Sequence, residues 1–158
     1  GVVLHAAWIV QHLDLIRPVE DGMPAPAFTL PAIGPGGELG PAFTLGEGRV
    51  TVLDFWATWC GPCIKAMPEL DALAAEHPDV DVIAINLDDP AGARAMFDQR
   101  GWTHLRLLAD DGVVSQRYNV SAIPHSVVID RGGIVRHVLR GGSAGLAAAV
   151  RAERLRPQ

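Results

Sequence analysis

The sequence has little cysteine and no block of basic charge. Only two cysteines occur in 158 residues, too few for the disulfide framework that stabilises small secreted domains, and a chain of this length can bury a core without one. The net charge of −5 comes without a basic cluster, which argues against a nucleic-acid-binding surface. The cysteine pair therefore requires a chemical explanation.

A long hydrophobic run is also missing. The opening "GVVLHAAWIV" is half of the roughly 20 residues that span a bilayer, and it lacks the charged region and cleavage site of a signal peptide. The start on glycine and the interfacial preference of Trp8 are consistent with the remnant of a membrane anchor. A short helix packed on the domain or on a partner subunit is an equal alternative. We predict an apolar segment over residues 1–17 and one domain over residues 18–158.

The hydrophobic pattern predicts strands that alternate with helices. Two copies of "PAFTL", at 26–30 and 41–45, predict a β-hairpin around a loop rich in Pro and Gly. Residues 49–57 are apolar on both faces, which is typical of a central, doubly covered strand. Further predicted elements are a helix over 60–77, a strand over 79–88, a helix from Asp89 to Gly101, a strand over 104–110, a short helix over 112–120, a hairpin of 125–130 with 134–140, and a helix over 143–156. The fold class is α/β, with helices on both faces of a mixed sheet.

Both cysteines lie in "FWATWCGPC", residues 55–63, between the central strand and the following helix. Positions i and i+3 are neighbours on a helical turn, which brings the sulfurs of Cys60 and Cys63 within bonding reach. Pro62 is tolerated in a first turn, and the unpaired N–H groups there stabilise a thiolate. We predict that Cys60 is the attacking nucleophile and that Cys63, one turn deeper, resolves the mixed disulfide.

Two alternatives to a redox pair are weaker. A structural disulfide across so short a loop adds little stability. A zinc site needs about four ligands, and the chain has no second cysteine pair.

Asp54 interrupts the central strand six positions before Cys60. A carboxylate buried there is desolvated, which raises its pKa and suits a proton acceptor for the deeper thiol. The alternative, an aspartate that reaches water at the strand edge, is disfavoured by the apolar residues on both sides.

The stretch "VLDFWATWCGPC" resembles the active-site strand and turn of thioredoxins. The N-terminal hairpin, "MPELDALAAEHPDVDVIAINLDD", an inserted strand–helix unit around "HLRLLADDGVVSQRYNV", and "IPHSVVIDRGGIV" are similar to the TlpA/ResA branch of membrane-tethered bacterial thiol–disulfide oxidoreductases. The resemblance covers roughly Met23 to Leu155 and implies a thioredoxin fold.

The resemblance also implies roles for single residues. Cys60 attacks and Cys63 resolves. Pro124 is implied to be cis and to face the cysteines, although the local sequence alone favours a trans bond, and the backbone of Ile123 is implied to pair with a bound peptide. The predicted substrate-binding residues are Trp59, Gly61, Pro62, Ile123, Pro124 and His125. His125 stands where the family commonly has Thr, and Asp54 where many TlpA-like chains have Asn.

The expected function is reduction of oxidised protein partners in the periplasm, by a protein that is membrane-anchored in its full-length form and is re-reduced by an upstream donor protein. The family suggests apo-cytochrome c and copper-site assembly proteins as partners. No cofactor beyond the Cys60–Cys63 disulfide, no metal and no nucleic acid is expected. One alternative is a Cu(I)-binding module that uses Cys60, Cys63 and His125. A peroxidase ranks last, because the Pro- and Thr-containing loop of peroxiredoxins is missing before Cys60.

Overall fold

Strands and helices alternate in the computed structural model, which describes residues 2–11 and 19–158. The elements are α1 (Val2–Gln11), β1 (Thr29–Ile33), β2 (Leu39–Thr44), β3 (Thr51–Trp56), α2 (Gly61–Glu76), β4 (Asp81–Asn86), α3 (Pro90–Arg100), β5 (Arg106–Ala109), α4 (Val113–Arg117), β6 (His125–Ile129), β7 (Val135–Arg140) and α5 (Leu146–Leu155), with a 3-10 turn at Pro35–Gly37. Within the described residues the strands form one seven-stranded sheet in the order β2-β1-β5-β4-β3-β6-β7.

The sheet is mixed, as the sequence predicts. Strands β3, β4 and β5 run parallel to one another, whereas β6 and β7 extend the sheet antiparallel on one side. The β1–β2 hairpin extends it antiparallel on the other side, through β5. The α/β class and the mixed sheet are thus confirmed.

Strand β3 lies near the centre of the sheet, and all six of its residues are buried. Because side chains alternate along a strand, Val52 and Trp56 join one core and Leu53 and Phe55 join the other. The first core contains both cysteines and side chains of α2, α3 and α5, and we call this side of the sheet the cysteine face. The opposite face is covered by α4 and the segment that precedes the hairpin.

The ends of α2 and α3 follow from their capping residues. The sulfur of Cys60 accepts the N–H of Cys63 at the start of α2. Asp89 caps α3 through the N–H of Gly92, and Gly101, at φ 73°, ends that helix in the left-handed region. The last helix begins at Leu146, later than predicted, because Gly145 before it adopts φ 84°.

The predicted hairpin is present, but the bounds predicted for its first strand are wrong. Strand β1 starts at Thr29, three residues late, and continues to Ile33. The turn is made further on, where Gly37 has φ 84° and lies so close to α3 that a Cβ would collide with the backbone of Ala91.

The N-terminal apolar run forms α1. Val3 and Trp8 are 82% and 50% exposed. The predicted boundary between residues 17 and 18 lies outside the described residues. No described helix combines the length and the apolar character needed to cross a membrane.

Candidate active site

The two cysteines form a disulfide at the N-terminus of α2, with Cα atoms 5.3 Å apart. Cys63 is completely buried, whereas Cys60 keeps 3% of its surface exposed. The order agrees with the deeper position predicted for Cys63, but both cysteines are buried in the disulfide form. Gly61 and Pro62 are exposed beside it, and Trp59 is 73% exposed.

A polar clamp fixes the loop that leads into Cys60. Asp88 accepts the backbone N–H of Thr58 at 3.0 Å and its hydroxyl at 2.6 Å. Asn86, at the end of β4, donates its side-chain amide to the same carboxylate. The clamp therefore ties the redox loop to the end of the neighbouring parallel strand.

Asp54 lies on the cysteine face, between Val52 and Trp56 in the alternation of β3. It is 2% exposed, and its Oδ1 accepts the hydroxyl of Ser126 at 3.0 Å. Burial raises the pKa of Asp54 from 3.8 to about 7, and the Ser126 hydrogen bond opposes that rise. The predicted burial and the predicted direction of the pKa shift are confirmed. Near neutral pH this carboxyl can both take and release a proton, as a general base requires.

The peptide bond between Ile123 and Pro124 is cis. The cis bond implied by the family resemblance is thus confirmed, and the trans bond favoured by local sequence alone is wrong. Pro124 is buried and Ile123 is partly exposed. Among the described residues, Ile123 makes no backbone hydrogen bond, which leaves its N–H and C=O free to pair with a peptide.

The structure does not place His125 at the rim of the cysteine site. His125 pairs with Phe55 across β3 and β6, its ring contacts the Phe55 ring at 6.1 Å, and it is 1% exposed. Since Phe55 belongs to the opposite face, the His125 side chain does too. Burial and the repulsion of Arg140 lower the pKa of His125 to about 4. Proximity in sequence to Pro124 misled the prediction, because neighbouring strand residues point to opposite faces.

The placement of His125 also removes the ligand set of the copper alternative. The two sulfurs lie on the cysteine face, and the imidazole lies on the other side of the sheet. Within residues 2–11 and 19–158, no group of three or more His, Cys, Asp or Glu side chains is arranged to hold a metal ion.

Sequence reasoning missed Ser126 and the Asp88 clamp. Ser126 is a polar residue inside the buried strand β6, and strand alternation alone would have marked it as a candidate partner for another buried polar group. Asn86 ends the parallel strand β4 and Asp88 follows it, at the sheet edge where α/β proteins place their sites.

The order of the strands, the disulfide at the start of α2 and the buried Asp54 on the same face define the class of protein. The fold and the cysteine pair are those of the thioredoxin-fold thiol–disulfide oxidoreductases. Within that class, the profile of the Redoxin family matches residues 20–151, and the chain belongs to the Redoxin family.

Relatives with known names agree with this class. The chain is 33% identical over 126 residues to the thiol:disulfide interchange protein DsbE of Pseudomonas aeruginosa, covering 76% of this chain and 66% of DsbE. It is 31% identical over 98 residues to the thiol-disulfide oxidoreductase ResA of Geobacillus kaustophilus, covering 60% of this chain and 56% of ResA. The chain thus spans a little over half to two thirds of these relatives. The resemblance inferred from the sequence is confirmed.

A solved structure shares the fold closely. It is that of a secreted Mycobacterium tuberculosis disulfide oxidoreductase homologous to E. coli DsbE, with a TM-score of 0.68 and 27% identity, covering 79% of this chain and 95% of that one.

Proposed function

We propose that this protein is a thiol–disulfide oxidoreductase that reduces disulfides in extracytoplasmic protein partners. The observation that carries the proposal is the Cys60–Cys63 disulfide at the N-terminus of α2. On the same face lies Asp54, whose pKa of about 7 suits proton transfer at neutral pH.

The exchange needs only protein thiols. In the reduced protein the Cys60 thiolate attacks one sulfur of the partner disulfide, which forms a mixed disulfide and releases the other partner sulfur as a thiolate. Cys63 then loses its proton to Asp54 and attacks the Cys60 sulfur. The Cys60–Cys63 bond forms, the mixed disulfide breaks, and the partner leaves with both cysteines reduced. A dithiol donor protein must then return two electrons to Cys60–Cys63.

Three groups around the disulfide are proposed to contact the partner. The exposed ring of Trp59 and the exposed Gly61–Pro62 turn form the surface beside Cys60. The free backbone of Ile123, next to cis Pro124, can add an extended partner segment by strand-like pairing. His125 is left out of this set, because its side chain lies on the opposite face.

Insulin reduction with dithiothreitol tests the activity. We expect the wild-type protein to precipitate the insulin B chain much faster than Cys60→Ser does, since only the wild type has the attacking sulfur. A Cys63→Ser variant should instead accumulate mixed disulfides. Wild-type turnover no faster than that of Cys60→Ser would contradict the activity.

The reducing direction has its own test, because direction follows from the reduction potential and from the donor. Equilibration with glutathione buffers gives the potential of the Cys60–Cys63 couple. We expect a value in the range of reducing thioredoxin-type proteins, nearer about −270 mV than the roughly −120 mV of a strong oxidant. A strongly oxidising potential would reverse the proposed direction without affecting the exchange chemistry.

The extracytoplasmic location rests on the likeness to a secreted oxidoreductase and on the apolar helix α1 with its exposed Trp8. We propose that this helix belongs to a membrane tether in the full-length protein. Apo-cytochrome c and copper-site assembly proteins are the partners to test first. Co-sedimentation with lipid vesicles should require residues 1–17, and equal sedimentation of a chain that starts at Pro18 would contradict the tether.

A further inference from the structure

The hydroxyl of Ser126 is buried within the sheet, where a polar group requires a hydrogen-bond partner. It sits in β6 directly opposite Asp54, is 2% exposed, and is followed by the apolar residues Val127 to Ile129. Burying a hydroxyl is unfavourable unless it is hydrogen-bonded. Within the described chain its side chain bonds only to Oδ1 of Asp54, at 3.0 Å.

The two carboxylate oxygens of Asp54 are therefore not equivalent. Oδ1 accepts the Ser126 hydroxyl, whereas Oδ2 is buried and accepts no hydrogen bond from the described residues. A donor already directed at Oδ1 disfavours protonation there, which leaves Oδ2 as the oxygen available to a proton.

Across residues 2–11 and 19–158, no charged group shifts the pKa of Asp54. In the described structure β4 places Ala84 beside Asp54, β6 places Ser126 there, and α2 contributes the two cysteines to the same core. Burial and the Ser126 hydrogen bond are the two causes that set the pKa of Asp54.

We propose that Ser126 is a positioning residue for thiol exchange, which holds Oδ1 of Asp54 and leaves Oδ2 as the atom that takes the proton of Cys63. In this step the S–H bond of Cys63 breaks and an O–H bond forms at Oδ2. The resulting thiolate attacks the Cys60 sulfur of the mixed disulfide, and the partner sulfur leaves with the electron pair. The inference rests on the proposed function and assigns the proton path within it.

A pair of nearly isosteric variants separates the hydroxyl from the volume of the side chain. Ser126→Thr keeps the donor, and Ser126→Val replaces it with a methyl group of similar size. Loss of a hydrogen bond to a carboxylate should raise the pKa of Asp54 in Ser126→Val by about one unit, and Ser126→Thr should restore it. The pKa is read directly from the ¹³C NMR titration of the Asp54 carboxyl carbon in the full, oxidised protein.

The same pair is then compared in the pH profile of insulin reduction. With the pKa moved from about 7 to about 8, the ionised fraction of Asp54 at pH 7 falls about fivefold. We expect Ser126→Val to slow reduction by that factor at pH 7 and to recover toward pH 9. In an Asp54→Asn background, Ser126→Val should change nothing further.

Unchanged Asp54 titration in Ser126→Val, or an equal loss of rate in Ser126→Thr and Ser126→Val, would overturn the inference while leaving the reductase activity intact. An inactive wild-type protein would overturn the proposed function instead, and the NMR titration would still decide the Ser126–Asp54 link. Should Ser126→Val fail to fold, Ser126→Ala removes the same donor with less steric demand.

Discussion

Asp54 and His125 lie on adjacent strands, and burial shifts their pKa values in opposite directions. The pKa of Asp54 rises to about 7 and that of His125 falls to about 4. The cause is shared, since a buried environment favours the neutral form of either group. The consequences differ, because Asp54 lies on the face of the sheet that carries the cysteine pair, whereas His125 packs against Phe55 on the other face.

Asp54 is expected to destabilise the fold at neutral and alkaline pH. Its folded pKa lies above the unfolded value, so the folded state binds more protons between about pH 4 and pH 7, and stability falls as pH rises through that window. Replacing it by the neutral Asn should increase the free energy of unfolding by about 2–4 kcal/mol at pH 8 and by little at pH 4. Urea unfolding of the oxidised protein at several pH values measures this.

Asp98→Asn is the control for that measurement, because Asp98 is an exposed aspartate on α3. Asp98→Asn should change the free energy of unfolding only slightly at every pH. If Asp54→Asn increased the free energy of unfolding by the same amount at every pH, the role of charge burial would be contradicted.

His125 should contribute the opposite pH dependence. Its folded pKa lies below the ordinary value, so the unfolded state binds more protons between about pH 4 and pH 6.5, and stability is lost as pH falls through that window. His125→Gln should remove this acid slope, which amounts to about 3 kcal/mol across the window. The exposed His104 supplies the control, since His104→Gln should leave the acid slope of the free energy of unfolding in place. An unchanged slope in His125→Gln would show that another group causes the acid sensitivity.

At the scale of elements, the active site depends on contacts between segments that are distant in sequence. The loop that precedes α2 is held by a carboxylate 30 residues further along the chain, and the buried acid of β3 is paired with a hydroxyl on β6. Parallel pairing of β3 with β4 brings the ends of both strands together, and this is what places Asp88 beside the redox loop.

Removing the clamp should loosen that loop without unfolding the protein. Asp88→Ala leaves the N–H and hydroxyl of Thr58 without their acceptor, which should cost about 1 kcal/mol of stability. We expect faster hydrogen exchange at the Thr58 amide and slower insulin reduction. Thr58→Val removes only the hydroxyl bond, so it should change amide exchange at residue 58 and insulin reduction less than Asp88→Ala does. Thr58 amide exchange in Asp88→Ala as slow as in the wild type would show that the loop is held by other contacts.

At the scale of the whole molecule, the described domain is organised around two cores on either side of one sheet. The redox pair belongs to the core that also contains side chains of α2, α3 and α5. Helix α1 exposes Val3 and Trp8, and neither core includes a described side chain of this helix.

A chain that starts at Pro18 is therefore expected to fold and react like the full chain. Val19, the first buried residue of the domain after the predicted boundary, is kept. The free energy of unfolding should change by less than about 0.5 kcal/mol, and insulin reduction should be equal. Loss of cooperative unfolding in the shortened chain would mean that residues 1–17 are part of the domain.

Much of this architecture was predictable because its causes are local. The doubly apolar pattern of β3 predicted a central strand, and the cap residues Asp89 and Gly101 predicted the ends of α3. The spacing of Cys60 and Cys63 predicted their disulfide, because side chains one helical turn apart are close enough to bond and the chain has no other cysteine. The apolar flanks of Asp54 predicted its burial. Each of these inferences needs only a few consecutive residues.

The sequence by itself determined the redox pair, the buried acid and the layered class, because periodicity and capping are set by near neighbours. Only the tertiary structure decided which side chains meet. His125 lies on the face of the sheet opposite the cysteines. Ser126 is hydrogen-bonded to an aspartate 72 residues earlier, and Asp88 is hydrogen-bonded to Thr58. The physical reason is that strand register and sheet order, which no short stretch of sequence fixes, determine the face and the neighbour of every buried polar group.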